Sequence, residues 1–379
     1  MPSSPPPNSS IAALTILSIV VNLTRTLLAL LIRAISSPFH STGAPTYLRD
    51  VLYTALRTYL HHDSISASRL ILKPTTEVYL ASCRARNVPP STLVLPRGAQ
   101  AHWLGDPRAK TVLVWFHGGG YANAASPAHV KYLWSLVDAL NTDGNSIAIL
   151  LLAYTLAPDA AYPTQLAQAA ELVYHLLVIE YRRTTDIILA GDSAGGNLVL
   201  ALLSHMLHPH PGTATHYSPV GPVLDTPFIG SIDTPFRGVL LLSPWVSFNT
   251  THGSYRRNAQ RDVLDAVPLE RWAEAFLGGG KSDAYSEPLT AGPEWWAGAS
   301  RKVQDVLVCA GGGEVFIDGI RAWVGKFKEK FEDVRAGWEV GFFVELEAAH
   351  DIVVIDTVLG FRKRETARVV ESWLRSKLG

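Results

Sequence analysis

The 379-residue chain predicts an α/β fold, a mostly parallel central sheet flanked by helices, and three observations carry that expectation. Continuous apolar runs of strand length alternate with longer segments of helical period. Several of those runs open directly into glycine-rich turns. The unbroken apolarity of the runs fits strands buried on both faces, as in a parallel sheet.

Taken in order, Thr76 to Leu80 and Ala101 to Leu104 read as the first two strands, and Thr111 to Phe116 as a buried third. Ser146 to Ala153 is the next strand. Thr164 to Tyr181 follows as a helix opened by Pro163. Asp186 to Ala190 reads as a strand running into a tight turn, with a helix over Asn197 to Leu207. His208 to Phe236, rich in Pro, His and Thr, has no period and reads as a long surface loop. Gly238 to Leu242, Asp305 to Ala310 and Trp338 to Leu346 complete the strands, and Glu365 to Leu378 reads as a terminal helix. Residues 262–300, with Trp272, Trp295 and Trp296, are expected to extend a cap, the tryptophans serving packing first.

The turn at the end of the 186–190 strand is Gly191-Asp192-Ser193-Ala194-Gly195-Gly196, a Gly-x-Ser-x-Gly motif between strand and helix. Such a turn lifts a serine clear of the backbone and aims helix N-terminal amides at a developing anion. By itself the motif is weak. Upstream, Phe116 runs into His117-Gly118-Gly119-Gly120-Tyr121, where glycines free backbone N–H groups to form an oxyanion hole. His117 reads as a residue that holds this loop rather than a catalyst. Downstream, the strand ending at Ala310 opens into Gly311-Gly312-Gly313-Glu314, with Asp318 four residues on. The last strand is followed by Glu347-Ala348-Ala349-His350-Asp351. Serine, then acid, then histidine is the chain order that an acyl-transfer triad on such a sheet requires.

Together these segments resemble the hormone-sensitive-lipase-like branch of the α/β-hydrolase superfamily, which includes bacterial carboxylesterases, arylacetamide deacetylase and the fungal steryl acetyl hydrolases. Tyr154-Thr155-Leu156-Ala157-Pro158, Tyr162-Pro163 and Leu242-Ser243-Pro244-Trp245 add smaller matches, so the resemblance covers about residues 90 to 379. It implies an α/β-hydrolase fold with a helical cap over residues 36–379. It also implies a serine hydrolase of short-chain, acetyl-type esters of lipophilic alcohols, with Ser193, Glu314 and His350 as the triad. Gly118, Gly119, Gly120 and Ala194 are the implied oxyanion donors. The family usually carries Asp where this chain has Glu314, and Asp318 stands as the alternative acid, or else as a helix-start residue. Amide or lactone hydrolysis and acyl transfer would use the same atoms. A non-catalytic binding member of the fold would be expected to break a triad position. The base predicts an acid limb in the rate profile near the ordinary histidine pKa of about 6.5.

Composition narrows the remainder. Lys plus Arg and Asp plus Glu each number 33, and only 17% of residues are charged, which excludes a nucleic-acid surface. Two cysteines, Cys83 and Cys309, cannot build a disulfide framework, and neither a zinc spacing nor a phosphate loop occurs, so no cofactor or metal is implied.

Residues 1–10 are Pro- and Ser-rich and read as a disordered tail. Between Ile11 and Ile32 stand 13 Ile, Leu and Val residues, interrupted by Asn22, Thr24, Arg25 and Thr26. At about −0.3 to −0.6 kcal/mol each, the apolar residues outweigh one central arginine at about +2.5 to +3.5 kcal/mol. A membrane anchor is therefore expected over 11–35. An interfacial or capping helix with Arg25 on a polar face is the alternative. No basic residue precedes the run, which argues against a cleaved signal peptide. The arginines after it favour a cytosolic domain by the positive-inside rule, whereas the resemblance implies a lumenal one, with the endoplasmic reticulum as the membrane. Asn249-Thr250-Thr251 is a glycosylation acceptor that would report the side.

Overall fold

The computed structural model describes residues 9–40, 42–142, 147–213, 234–331, 339–361 and 365–378. Among these an eight-stranded mixed sheet runs through the core in the order β1-β2-β4-β3-β5-β6-β7-β8. Strands β1 (Thr92–Val94) and β2 (Gln100–Leu104) pair antiparallel, and β2 pairs antiparallel with β4 (Ile147–Ala153). From β4 onward every pairing is parallel, through β3 (Thr111–Phe116), β5 (Ile187–Asp192), β6 (Gly238–Leu242), β7 (Val306–Gly311) and β8 (Val340–Glu345). Every residue of β3, β5, β6 and β7 is buried, as expected when helices cover both faces of a parallel sheet.

One expected strand is a helix. Thr76 to Leu80 lies within α4 (Thr75–Arg86), whose buried Thr75, Val78, Tyr79 and Cys83 recur at spacings of three and four. That period faces one side of a helix, and it overrides the β propensity of the threonines, valine and tyrosine. The first strand is instead the short β1, held by Leu93 opposite Ala101. The helix expected to reach Tyr181 is regular as α6 (Thr164–Tyr174) and continues over His175–Ile179 as a wider turn. Of the expected tail, residues 1–8 lie outside the described residues, as do residues 214–233 of the expected loop, Ser146 and Trp338.

On one face of the sheet, α7 (Ala194–Leu207) packs directly against β5 and β3. Gly195 makes that approach possible, because a Cβ there would run into the carbonyl of Phe116. Helix α5 (Pro127–Leu140) starts from a capping box in which Ser126 and His129 bond reciprocally. At the N-terminus, α1 (Ser9–Ser36) lies against α2 (Tyr47–His62), and α3 (Ile65–Ile71) follows. Helix α2 is fastened to the sheet domain by buried charge. Arg49 pairs with Asp356 at 2.5 Å, and Arg57 donates to the Asp262 carbonyl at 2.6 Å. The helix Ala266–Leu277 completes this layer, with Arg271 donating to the Leu60 carbonyl at 2.9 Å.

Candidate active site

Four strand ends converge on one place. Ser193 follows β5 with φ 51° and ψ −115°, a conformation costly for a side-chain-bearing residue. Its amide donates to the carbonyl of Leu242 at the end of β6, and its carbonyl accepts from the amides of Trp245 and Asn197. These bonds hold the serine against its strain. Its Oγ lies 2.9 Å from His350 Nε2.

His350 sits in the turn after β8, buried, with the edge of its ring pair against Phe316. Its Nδ1 lies 2.9 Å from Glu314 Oε2. Glu314 is fully buried just past β7, and its other oxygen accepts the Gly311 amide at 3.0 Å. The structure therefore brings Ser193, His350 and Glu314 into one line of hydrogen bonds. Asp318 is not part of it. It lies in the first turn of the helix Ile317–Phe331 and pairs with Arg257 at 2.5 Å, and that bond outweighs burial and lowers its carboxyl.

The glycine loop after β3 is held from several sides. His117 is wholly buried and donates from Nδ1 to the Gly118 carbonyl at 2.7 Å, while burial lowers its imidazole to about 4. It is a neutral brace, stacked on Tyr154 with ring centres 4.4 Å apart. The Tyr154 hydroxyl donates to the His117 carbonyl at 2.7 Å, and the Tyr121 hydroxyl donates to Asn197 Oδ1 at 2.6 Å.

One expected oxyanion donor is already engaged. The Gly118 amide donates to Asp192 Oδ2 at 2.8 Å, which removes it from the candidate donors. Sequence could not reveal this, because it depends on where the residue before the serine points. The amides of Gly119 and Gly120 have no such partner among the described residues. Gly119 carries φ +108°, and Trp272 packs so close to Gly120 that a Cβ there would strike its ring. Trp272 thus roofs the loop. Trp295 and Trp296 are elsewhere: the first donates to Ser204, and the second is buried against Trp323 and Phe327.

Beneath the serine lies an acidic pair. Asp192 also accepts from Trp115 Nε1 at 2.9 Å and His129 Nε2 at 3.0 Å. Burial would raise its carboxyl, but these donors hold it below the usual range. Asp351, next to the histidine, has Oδ2 3.4 Å from His350 Nε2. Burial and the nearby carboxylates of Asp192 and Glu314 raise Asp351 well above the usual range. For His350, burial pulls downward, but the carboxylates of Asp351, Glu314 and Asp262 outweigh it and raise the imidazole to about 9.

Asp262 is the residue that the sequence did not single out. Fully buried, it accepts the His350 amide at 2.9 Å and the Val315 amide at 2.6 Å. Its position in the chain carries no motif to mark it. Among the described residues no cluster of three or more His, Cys, Asp or Glu is arranged to hold a metal ion.

A family profile described as alpha/beta hydrolase fold matches residues 113–352. Human hormone-sensitive lipase is 36% identical over 107 residues, 27% of this chain and 9% of that protein. Steryl acetyl hydrolase 1 of Saccharomyces cerevisiae is 31% identical over 109 residues, 28% of this chain and 24% of its own length. The matches therefore span less than a quarter of these relatives. A solved esterase of the bacterial hormone-sensitive lipase family superposes with a TM-score of 0.59 at 22% identity, covering 94% of this chain and 98% of its own. At that identity the likeness is one of fold.

Proposed function

Because this chain belongs to the alpha/beta hydrolase fold family, we propose that it is a carboxylic ester hydrolase working through a covalent serine ester. The observation that carries this reading is the pair of 2.9 Å contacts of His350, to Ser193 Oγ on one side and Glu314 on the other. Two ring nitrogens engaged in this way let the imidazole take a proton at Nε2 while Nδ1–H stays fixed on the carboxylate.

In this mechanism His350 Nε2 removes the Ser193 proton as Oγ attacks the ester carbonyl carbon. The carbonyl π electrons move to oxygen, and the amides of Gly119, Gly120 and Ala194 receive the resulting oxyanion. His350 then gives its proton to the alcohol oxygen as the C–O bond breaks, leaving an acyl-serine. Water, deprotonated by the same nitrogen, attacks the acyl carbon, and the proton returns to Ser193 as the acid departs. Glu314 orients the ring and offsets its transient charge throughout.

The substrate class we propose is short-chain, acetyl-type esters of lipophilic alcohols. The similarity to a protein named steryl acetyl hydrolase supports it. So does α1: residues 13–39 are long enough to cross a membrane, and an 18-residue window within them has a mean hydropathy of 2.0 with 6% of that window buried. We propose that α1 associates the protein with a membrane, where such esters dissolve. The test is hydrolysis of p-nitrophenyl esters from acetate to palmitate by wild type and Ser193→Ala. Activity greatest at acetate or butyrate and absent from the variant is the expected result. Equal activity in the variant would overturn the assignment of the nucleophile, and a maximum at palmitate would overturn the acyl class.

A further inference from the structure

The way α1 meets the rest of the chain bears on how a membrane can receive it. Among its covered positions, Ile19, Asn22, Thr26, Ala29 and Arg33, with Ser37 just past its end, recur at spacings of three and four and mark one stripe. That stripe carries Asn22, Thr26 and Arg33, while Ser18, Thr24 and Arg25 are exposed to either side of it. Asn22, 4% exposed, donates to the Tyr59 carbonyl of α2 at 3.0 Å. Arg33 donates twice to Asp50, at 2.7 and 2.9 Å, and the Ser37 hydroxyl reaches the same carboxylate at 2.5 Å. Tyr47 returns a bond to the Ala34 carbonyl at 2.9 Å. A small crevice of about 40 Å³ between α1 and α3 is lined by Ile19, Ala67 and Ile71. From Ile19 to its end, and on through Ser37 just beyond it, α1 is docked along its neighbours.

A helix docked over that length cannot cross a bilayer alone. At 1.5 Å per residue, the docked stretch is about 28 Å long, close to the roughly 30 Å of a hydrocarbon core. Crossing would carry α2 into lipid beside it, with Asp50, Arg57 and His61. Each ionised group costs about 2.5–3.5 kcal/mol even on a permissive scale. Undocking instead would strand the Asp50 carboxylate and break the Asn22 and Arg33 bonds. The opposite side of α1 has the reverse character. Leu17, Leu27, Leu31 and Ile35 are each more than half exposed, Phe39 is 84% exposed, and beside the crevice Leu70 is 61% exposed. An aliphatic face extending over two helices exceeds what a soluble surface ordinarily leaves bare.

We infer that α1 lies in the plane of the membrane as a one-sided insert, with its Asn22–Arg33 stripe on the protein and its leucine face in the lipid. This rests on the membrane association proposed above and specifies its form. A lipid surface fits better than a second copy of the chain. The face is almost wholly Leu, Ile and Val, whereas protein interfaces concentrate aromatic residues and Arg at their centres. Arg25, exposed on α1, has the reach to place its charge among headgroups.

The test uses the full chain, tagged with one epitope before Met1 and another after Gly379, in sealed phosphatidylcholine vesicles containing 20–30% anionic lipid, on the order of a cytoplasmic leaflet. Added protease is expected to treat both epitopes alike, because an in-plane helix keeps both ends on one side. Digestion of one epitope with protection of the other means a span and overturns the inference. A chain that fails to float with the vesicles overturns the membrane reading itself, whatever the epitopes show. Leu27→Glu with Leu31→Glu is expected to release the protein from vesicles while hydrolysis of soluble p-nitrophenyl acetate stays within about twofold, since the exposed face carries no contact to the site. Retention of that variant on vesicles, or its conversion from a soluble dimer to a monomer, would also overturn it.

Discussion

Asp262 accepts the backbone N–H of His350 at 2.9 Å and, with its second oxygen, that of Val315 at 2.6 Å. One buried carboxylate thus ties the turn bearing the histidine to the turn bearing Glu314, and it never touches the reacting atoms. Asp262→Ala would leave both amides buried without acceptors, at about 1–3 kcal/mol each. The expected outcome is a kcat reduced about 10- to 100-fold with KM little changed, since misplacement of about 1 Å costs on the order of 10². Thermal melting should fall as well. Steady-state kinetics beside calorimetry checks this; an unchanged kcat in a folded variant would remove the positioning role.

The choice of acid is tested by a pair of substitutions. Glu314→Gln should cost about 10³- to 10⁴-fold in kcat, the scale expected when a triad histidine loses its orienting carboxylate. Asp318→Asn should stay within about twofold, because its partner is the surface residue Arg257 and such exposed pairs contribute about 0–1 kcal/mol. Reversal of the two results would move the triad acid to Asp318.

The pH profile should depart from an ordinary histidine. With His350 raised to about 9, its protonated, inactive form persists to higher pH, so activity is lost on acidification at a midpoint above 6.5. This revises the expectation drawn from the isolated residue type. Asp351, with Oδ2 3.4 Å from Nε2, is foremost among the carboxylates that raise the imidazole. Asp351→Asn removes one carboxylate from the imidazole and should move the acid limb downward. A limb that stays in place in kcat/KM against pH would show that Asp351 does not act on the base.

Gly195→Ala should fail to reach the native state at ordinary expression temperature, because its Cβ meets the Phe116 carbonyl and helix α7 cannot retreat without displacing Ser193. Soluble yield and melting temperature read this directly. A variant with wild-type stability would mean that α7 and β3 have slack between them.

Much of this architecture is legible in the sequence where burial on both faces forces an unbroken apolar run, as in β3, β5, β6 and β7. The turns after them are legible because chemistry there needs glycine or a named side chain. Helix α4 is not, since its first residues are β-prone and only the spacing of Val78, Tyr79 and Cys83 gives it away. Asp262 and the capture of the Gly118 amide by Asp192 are illegible for a different reason: each is a side chain bonding to backbone far away in sequence. Hydropathy likewise finds α1 but sums over the whole segment, which hides that Asn22, Thr26 and Arg33 share a side.

The docking of α1 on α2 has a practical consequence for anyone wishing to make the enzyme in quantity. Deleting the first 36 residues is the obvious route to a well-behaved protein, yet it would uncover the Tyr59 carbonyl and leave Asp50 without Arg33. Helix α2 would then be loosened, and it is the same helix that holds Arg49 on Asp356 and Arg57 on the carbonyl of Asp262. The better strategy is to keep the helix and repaint its outer leucines with charge.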